Sequence, residues 1–318
     1  MEKKVLGNTG LAVTPVGFGV LTMGKTQLDK PLYEGAALLR YALEQGLNFL
    51  DTAQYYETYP YIREALKGTN YEPIISSKCL DPSYSQMKAA VEEARSELNR
   101  DVIDIFLLHE VRSQEDWQNR SGAWSYLQEA REKGLVKAIG VSTHHVDVAW
   151  QAAQEQELNV LFPLINFRSL GIRKGNQPGT KEEMAAAIEK NAAEGKGVFT
   201  MKVFGGGNLT GHYLEALDYV RSLAGISSMM IGFGQNQEVD RILEYLDGSI
   251  DPHYRPDMTK KQIHIDKGDC ESCGACIRRC PNQALSWSPE GQAAVDHQRC
   301  LTCGYCAPVC PVRAILLL

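Results

Sequence analysis

Eight of the chain's nine cysteines crowd into its last fifty residues, at gaps of two and three. Cys270, Cys273, Cys276 and Cys280 are followed by Pro281, and Cys300, Cys303, Cys306 and Cys310 by Pro311, so the run C-x-x-C-x-x-C-x-x-x-C-P occurs twice. Cysteines this close in sequence suit metal ligation better than disulfide pairing, because a tight turn can wrap three thiolates around one face of a cubane. The spacing predicts ligands for two [4Fe-4S] clusters. A pair of zinc sites is the alternative that thiolate quartets allow, but zinc sites rarely use this triple spacing. Much further upstream, Asp51, Lys78 and His109 each close an apolar run, where a carboxylate, an ammonium and an imidazole could move or stabilise a proton.

From about Ile263 onward the chain resembles the two-cluster bacterial ferredoxins. Gly274 and Gly304 supply the turn after the second cysteine of each run, and Ala284-Leu285 and Ala314-Ile315 close the halves of an internal duplication. In that family the fourth cysteine of each run serves the other cluster. The resemblance implies that Cys270, Cys273, Cys276 and Cys310 hold one cluster, and Cys300, Cys303, Cys306 and Cys280 the other. Just before it, Asp247 to Lys261 carries Gly248, Pro252, Pro256 and several charges without periodicity, as a linker would. The expected division is a large domain at 1–250, a linker at 251–262 and a small α+β domain at 263–318.

In the large domain, β-rich apolar runs alternate with amphipathic stretches. Strands are expected at Val16–Val20, Asn48–Ala53, Pro73–Lys78, Ile103–His109, Lys137–Thr143, Val160–Asn166, Gly197–Phe204 and Ser228–Phe233, with helical patterns between them. Eight βα units with short connections predict an α/β fold of the closed (β/α)8 TIM-barrel type. No G-x-G-x-x-G follows the first strand to support an open dinucleotide-binding sheet. Barrel enzymes place their chemistry at the C-terminal ends of the strands. There this chain has Asp51, Lys78, His109, Ser142, Thr143 and Asn166. Buried charges at such positions carry a desolvation cost unless they pair or do chemistry, and a purely structural Asp51–Lys78 ion pair is the plainer alternative.

The run Asn48-Phe49-Leu50-Asp51-Thr52-Ala53-Gln54-Tyr55-Tyr56, with Lys78 in Ile-Ser-Ser-Lys and His109 in Leu-Leu-His, resembles the Asp, Tyr, Lys, His tetrad of the aldo/keto reductases. Leu6-Gly7-Asn8-Thr9-Gly10-Leu11 and Val16-Gly17-Phe18-Gly19 resemble that family's N-terminal hairpin and first strand, and the likeness runs to about residue 246. It implies Tyr56 as the proton donor in preference to Tyr55. Hydride arriving at a carbonyl carbon leaves negative charge on oxygen, which needs a proton or a positive field. A phenol with an ordinary pKa of about 10 is a poor acid at neutral pH, so the Lys78 ammonium is expected to lower that value. Asp51 would orient Lys78, and His109 would hydrogen-bond the substrate oxygen or relay its proton. His144 and His145 fall at the rim of the expected site, and Cys79 reads as a small buried residue.

The same resemblance implies a nicotinamide dinucleotide, NADP or NAD, across the barrel mouth. Ser142 and Thr143 in Gly140-Val141-Ser142-Thr143, with Asn166, match the residues that hold the carboxamide. Lys202-Val203-Phe204-Gly205-Gly206-Gly207-Asn208-Leu209 resembles the loop after the seventh strand, whose glycines let backbone amides approach a phosphate. Two positions depart from the pattern. Phe162-Pro163 stands where many members have a glutamine, and Gln235, three residues beyond Gly232, stands where an arginine or lysine commonly grips the 2′-phosphate of NADP. A neutral amide lacks the charge-assisted fork that phosphate favours. Clusters take electrons singly whereas a nicotinamide gives a hydride, so direct exchange is awkward without a mediator, and FMN in the barrel mouth is one way to supply it.

Apolar residues make up 44% and charged residues 23%, ordinary for a globular chain with a sizeable core. The formal charge of -6 comes with no basic run, so nucleic acid is not an expected partner. No apolar run reaches the roughly 18 residues that would suggest a membrane span, and Gly7, Gly10, Pro15, Gly17 and Gly19 interrupt the start of the chain. A cytoplasmic protein without a membrane partner is expected. Taken together, the residues predict an oxidoreductase reducing a carbonyl or related small substrate, with the clusters transferring electrons and room for a redox protein partner. The alternatives are a nicotinamide-dependent reductase with structural or docking clusters, and a non-catalytic electron-transfer or regulatory subunit. Substrate choice would lie in loops such as Val111–Arg120 and Gly171–Thr180.

Overall fold

The computed structural model describes every residue from Met1 to Leu318. Eight parallel strands close into a barrel: β1 (Val16–Gly19), β2 (Phe49–Asp51), β3 (Ile74–Cys79), β4 (Ile103–Leu108), β5 (Val136–Thr143), β6 (Val160–Pro163), β7 (Gly197–Thr200) and β8 (Ile226–Ile231). They pair in chain order, and β8 returns to β1 through Met229 and Val16. Each strand is followed by helix, ending with Asn236–Asp247 after β8. Two helices were not among the expected elements. Tyr59–Leu66 is opened by Pro60 in its first turn, and Gln114–Asn119 by the Ser113 hydroxyl, which accepts the Asp116 amide.

Alternation along the strands separates two apolar layers. Phe49, Ile105, Leu107, Ala138, Val160, Phe162, Phe199 and Met230 fill the barrel interior together with Leu6, Leu11 and Val13 of the N-terminal hairpin, which closes one end. The intervening residues, such as Leu50, Phe106, Leu108, Val141 and Leu161, pack outward against the helices. Gly140 is required where β5 meets β6, since a Cβ there would lie 1.8 Å from the Val160 carbonyl oxygen.

Two strands end three or more residues earlier than expected, β6 at Pro163 and β7 at Thr200. After β7 the chain turns at Lys202, whose φ of 58° no strand accommodates. After β6 a single bridge joins Leu164 to Met201, and Asn166 then folds its side chain back onto the Arg168 and Leu170 backbone. Asn166, Lys202 and Phe204 therefore belong to loops above the strands.

The C-terminal module is a pseudo-symmetric pair of antiparallel ribbons. In it β9 (Ile263–Ile265) pairs with β12 (Ile315–Leu317), and β10 (Leu285–Trp287) with β11 (Ala293–Val295). Its core joins Ile263, Leu285, Ala293, Ala314 and Ile315 to the sulfurs of Cys276, Cys306 and Cys310. So small a core needs a staple to hold a fold. Chelating the iron is therefore expected to abolish hydrogen-exchange protection across 263–318 and leave the barrel strands protected; equal protection before and after chelation would contradict this. Between Asp247 and Ile263 there is no helix or strand, and Tyr254 packs edge-on against Tyr213 with ring centroids 5.2 Å apart. No helix is long and apolar enough to cross a membrane.

Candidate active site

Period-two geometry assembles the polar group at the top of the barrel. Asp51 lies two residues beyond the inward Phe49, His109 two beyond the inward Leu107, and Ser142 four beyond the inward Ala138. Lys78, two residues beyond Ser76, extends into the same space, with its ammonium 5.3 Å from the centroid of the inward Phe162 ring. The Lys78 ammonium donates to both Asp51 oxygens at 2.8 Å and to the Thr52 carbonyl at 2.6 Å. Those bonds use all three of its protons. It also lies 4.7 Å from the centroid of the Tyr56 ring, so it acts on that phenol through its field. The Tyr56 hydroxyl lies 3.3 Å from His109 Nε2, while Tyr55 turns away to meet the module at Gly268. The Arg120 guanidinium holds the His109 carbonyl at 2.7 Å.

Burial governs the protonation states. It pushes Asp51 up and Lys78 down, and their mutual attraction opposes both shifts. The expected acidification of Tyr56 is not met. Burial first, then Asp51, Asp269, Asp266 and Glu110, hold its phenol well above its ordinary value. Burial and the nearby Lys78 hold His109 well below 6.5. The pair is therefore a protonated phenol against a neutral imidazole, and His109 Nδ1 is buried without a partner. Such a phenol keeps its proton until negative charge develops on a substrate oxygen beside it.

His145 at the rim is pushed down to about 4, chiefly by burial. The unfolded chain binds a proton there below about pH 6.5, and the folded chain only near 4, so stability from this group falls as pH drops through that window. Glu110 and Asp266, pushed up by burial, work in the opposite sense. The discriminating comparison is thus between variants: His145→Gln is expected to lose less melting temperature than the wild type between about pH 7 and about pH 5. Parallel losses would contradict it.

The cysteine module lies directly over this site. Lys202 pairs with Asp269 at 3.0 Å and Arg112 with Glu271 at 3.2 Å. Strand β12 presents its open edge to the loop after β7: the Leu317 amide donates to the Gly206 carbonyl at 2.8 Å, and the Asn208 side-chain amide donates to the Ile315 carbonyl at 2.8 Å. Arg313, 1% exposed, donates to the carbonyls of Ala307 and Gly205. None of Glu110, Arg112, Asp266, Asp269, Glu271 or Arg313 stood out as a site residue in the sequence. One signal was present: the first half of the module ends in the alternating Leu285-Ser286-Trp287-Ser288, whereas the second ends in the unbroken Ile315-Leu316-Leu317-Leu318. An unbroken apolar run marks a strand covered on both faces.

The module itself contains two small cavities. Cys270, Cys273, Cys276 and Cys310 line one; Cys280, Cys300, Cys303 and Cys306 line the other. Nowhere do three His, Cys, Asp or Glu side chains converge closely enough for a single ion; four thiols around each space are the donor set that a cubane takes. Burial pushes Cys276 and Cys306 up to about 11, so metal must displace their protons. The residues fit two clusters.

Those expected to hold a dinucleotide fit poorly in this arrangement. The Ser142 hydroxyl accepts the Glu110 amide at 2.8 Å, and the Thr143 hydroxyl donates to the Val111 carbonyl at 2.6 Å. Both ends of the Asn166 amide are bonded to its own loop. Lys202, Gly205, Gly206 and Asn208, expected at a phosphate, all bond the module in this arrangement; Phe204 stacks on Tyr213 at 5.1 Å. Gly232 sits against Thr22, whose hydroxyl oxygen would be 1.7 Å from a Cβ there. Gln235 stands at the N-cap position of the last helix without a side-chain capping bond, and the Glu238 carboxylate takes the Gly234 amide at 2.6 Å. The nearest charge that this turn gathers is thus negative.

The aldo/keto reductase family model matches residues 15–246, and a 4Fe-4S dicluster domain model matches residues 250–314. The chain belongs to the aldo/keto reductase family and carries a 4Fe-4S dicluster domain behind its barrel. It is similar to the oxidoreductase YqkF of Bacillus subtilis, 24% identical over 64% of this chain and 68% of that one. It is also similar to L-galactose dehydrogenase of Arabidopsis thaliana, 28% identical over 46% of this chain, and spans 50% of that relative's length. Its fold superposes on that of an aldo-keto reductase from Bacillus halodurans in its holo form, with a TM-score of 0.63 at 20% identity, covering 80% of this chain and 93% of that one. The protein is an oxidoreductase with iron–sulfur electron transfer. In general terms, the two families support iron–sulfur and nicotinamide cofactors.

Proposed function

We propose that the barrel reduces a carbonyl or related small substrate at Tyr56, with two [4Fe-4S] clusters in the docked module delivering electrons. The observation that carries this reading is one arrangement: a phenol 3.3 Å from a neutral imidazole, with an ammonium 4.7 Å from its ring centroid, beneath the segment that begins the first cysteine run. When bound, the clusters supply electrons singly, and the chain's own residues do the rest. Tyr56 donates its proton to the substrate oxygen, His109 orients that oxygen and takes part in restoring the proton, and Lys78 stabilises the phenolate left behind. Asp51 keeps Lys78 charged in a buried place. The module's Asp266–Glu271 segment limits water at the site.

Curated relatives named methylglyoxal reductase, 2,5-diketo-D-gluconic acid reductase and pyridoxal reductase act on small carbonyl compounds by those names; we extend that substrate class to this chain. A cytoplasmic setting suits nine cysteines that form no disulfide. For a nicotinamide bound to an undocked barrel, Gln235 and Glu238 favour NAD over NADP.

The test is an anaerobic preparation analysed for iron, sulfide and flavin, then mixed with methylglyoxal after chemical reduction. About eight iron and eight sulfide per chain are expected, with the cluster absorbance recovering as the carbonyl is consumed. Stoichiometric FMN would identify a mediator. Clusters that stay reduced while a full panel of carbonyls remains unconsumed would overturn the reading and favour a non-catalytic subunit.

A further inference from the structure

The loop that would grip a dinucleotide's phosphates is the seat of the cysteine module. Gly205 and Gly206 turn their carbonyl oxygens toward the module, accepting from Arg313 and Leu317. The amides of Gly205, Leu209 and Thr210 close the loop's own turns. A phosphate is also an acceptor, so these carbonyls have the wrong polarity for it, and only the amides of Gly206, Gly207 and Asn208, which carry no hydrogen bond, are left to serve one. The cation in the same loop, Lys202, is neutralised by Asp269.

The seat is shaped for the module. A Cβ on Gly207, where φ is 83°, would lie 1.9 Å from the Leu317 carbonyl oxygen, and one on Gly171, also at φ 83°, would lie 1.8 Å from Arg313 Cγ. Two barrel loops therefore clamp Arg313 and β12 at positions where only glycine leaves room. Strand β12 turns Ile315 and Leu317 into the module core, so alternation sends Leu316 the other way, against Gly206, where it is 3% exposed. An edge strand with its remaining polar groups satisfied by a foreign loop is a covered edge.

We propose that the docked module and a nicotinamide dinucleotide exclude one another at the barrel mouth, so that the docked chain draws on a one-electron donor and not on a hydride. Converting a carbonyl to an alcohol consumes two electrons and two protons. In the docked chain the electrons come from an external low-potential carrier, by class a small iron–sulfur or flavin protein, oxidised twice per turnover. One proton goes to oxygen from Tyr56 and the other to carbon from solvent. The use made of these electrons rests on the function proposed above; the exclusion does not, and its test reads binding, so either can fail alone.

The experiment is equilibrium dialysis of the anaerobic, cluster-loaded full chain against NADH and NADPH, comparing wild type with Leu316→Asp, which sets a charge into the seat while leaving the cluster cysteines and the module's own core untouched. The variant is expected to bind at least tenfold more tightly, with faster hydrogen exchange at 205–208 and 313–318. Equal affinity in the two proteins, or no binding by either, would overturn the proposal. Should the variant not fold, wild type saturated with NADH decides the matter. Binding that leaves 313–318 protected, or failure to bind at any concentration, overturns the exclusion; binding that exposes 313–318 upholds it.

Discussion

Replacing Tyr56 with phenylalanine is expected to lower carbonyl turnover by roughly 10²- to 10⁴-fold, the usual range for losing one positioned general acid. The phenol hydroxyl is the group placed to protonate a substrate oxygen, 3.3 Å from His109 Nε2. Removing it deletes one oxygen and leaves the ring under Lys78 in place, so iron content and melting temperature should barely move. Steady-state rates with reduced methyl viologen as donor, on protein of matched iron content, make the comparison. Tyr55→Phe is the control: its ring is 47% exposed and meets Gly268 of the module, so turnover should change little. Equal losses in the two variants would remove Tyr56 from its role.

The second large effect is on folding. Lys78 is 1% and Asp51 5% exposed, and Lys78→Met would leave a buried carboxylate without its cation. Breaking such a pair from one side costs about 3–5 kcal/mol, because one charge remains desolvated and unpaired. The double variant Asp51→Leu, Lys78→Met removes both charges and should regain most of that stability while remaining inactive. Chemical denaturation of the three proteins separates the two uses of the pair. A single variant as stable as wild type would show that Asp51 readily takes up a proton or water in place of Lys78, and that the pair is not desolvated as its burial indicates.

Much of the barrel was legible because its signals are local. The inward residues Phe49, Leu107 and Ala138 precede Asp51 and His109 by two positions and Ser142 by four, so alternation alone predicts which polar side chains converge. The cysteine runs are local in the same way, since each fixes its own turn; the quartets that the ferredoxin resemblance implied each line one cavity. What escaped was the relation between the domains. Lys202 and Asp269 are 67 positions apart, and Asn208 and Ile315 are 107; neither shows a periodicity that would announce its partner. The glycines at 205–207 could equally serve a phosphate or a neighbouring strand, and only the unbroken Ile315–Leu318 run distinguished the second use. The shift of Tyr56 was misjudged for a related reason. Lys78 was visible as a neighbouring charge, but burial and the Asp51 carboxylate raise the phenol first, and Asp269 and Asp266, brought by the module, add to them.

The most direct test of the central claim, that the tetrad beneath the module is where cluster electrons meet the carbonyl, is a single-turnover experiment. Chemically reduced, cluster-loaded protein is mixed anaerobically with a carbonyl it turns over, and cluster reoxidation is followed by stopped-flow absorbance in wild type and Tyr56→Phe. Reoxidation in step with carbonyl loss, slowed at least about a hundredfold by the substitution, is the predicted result; equal rates in the two proteins would contradict it.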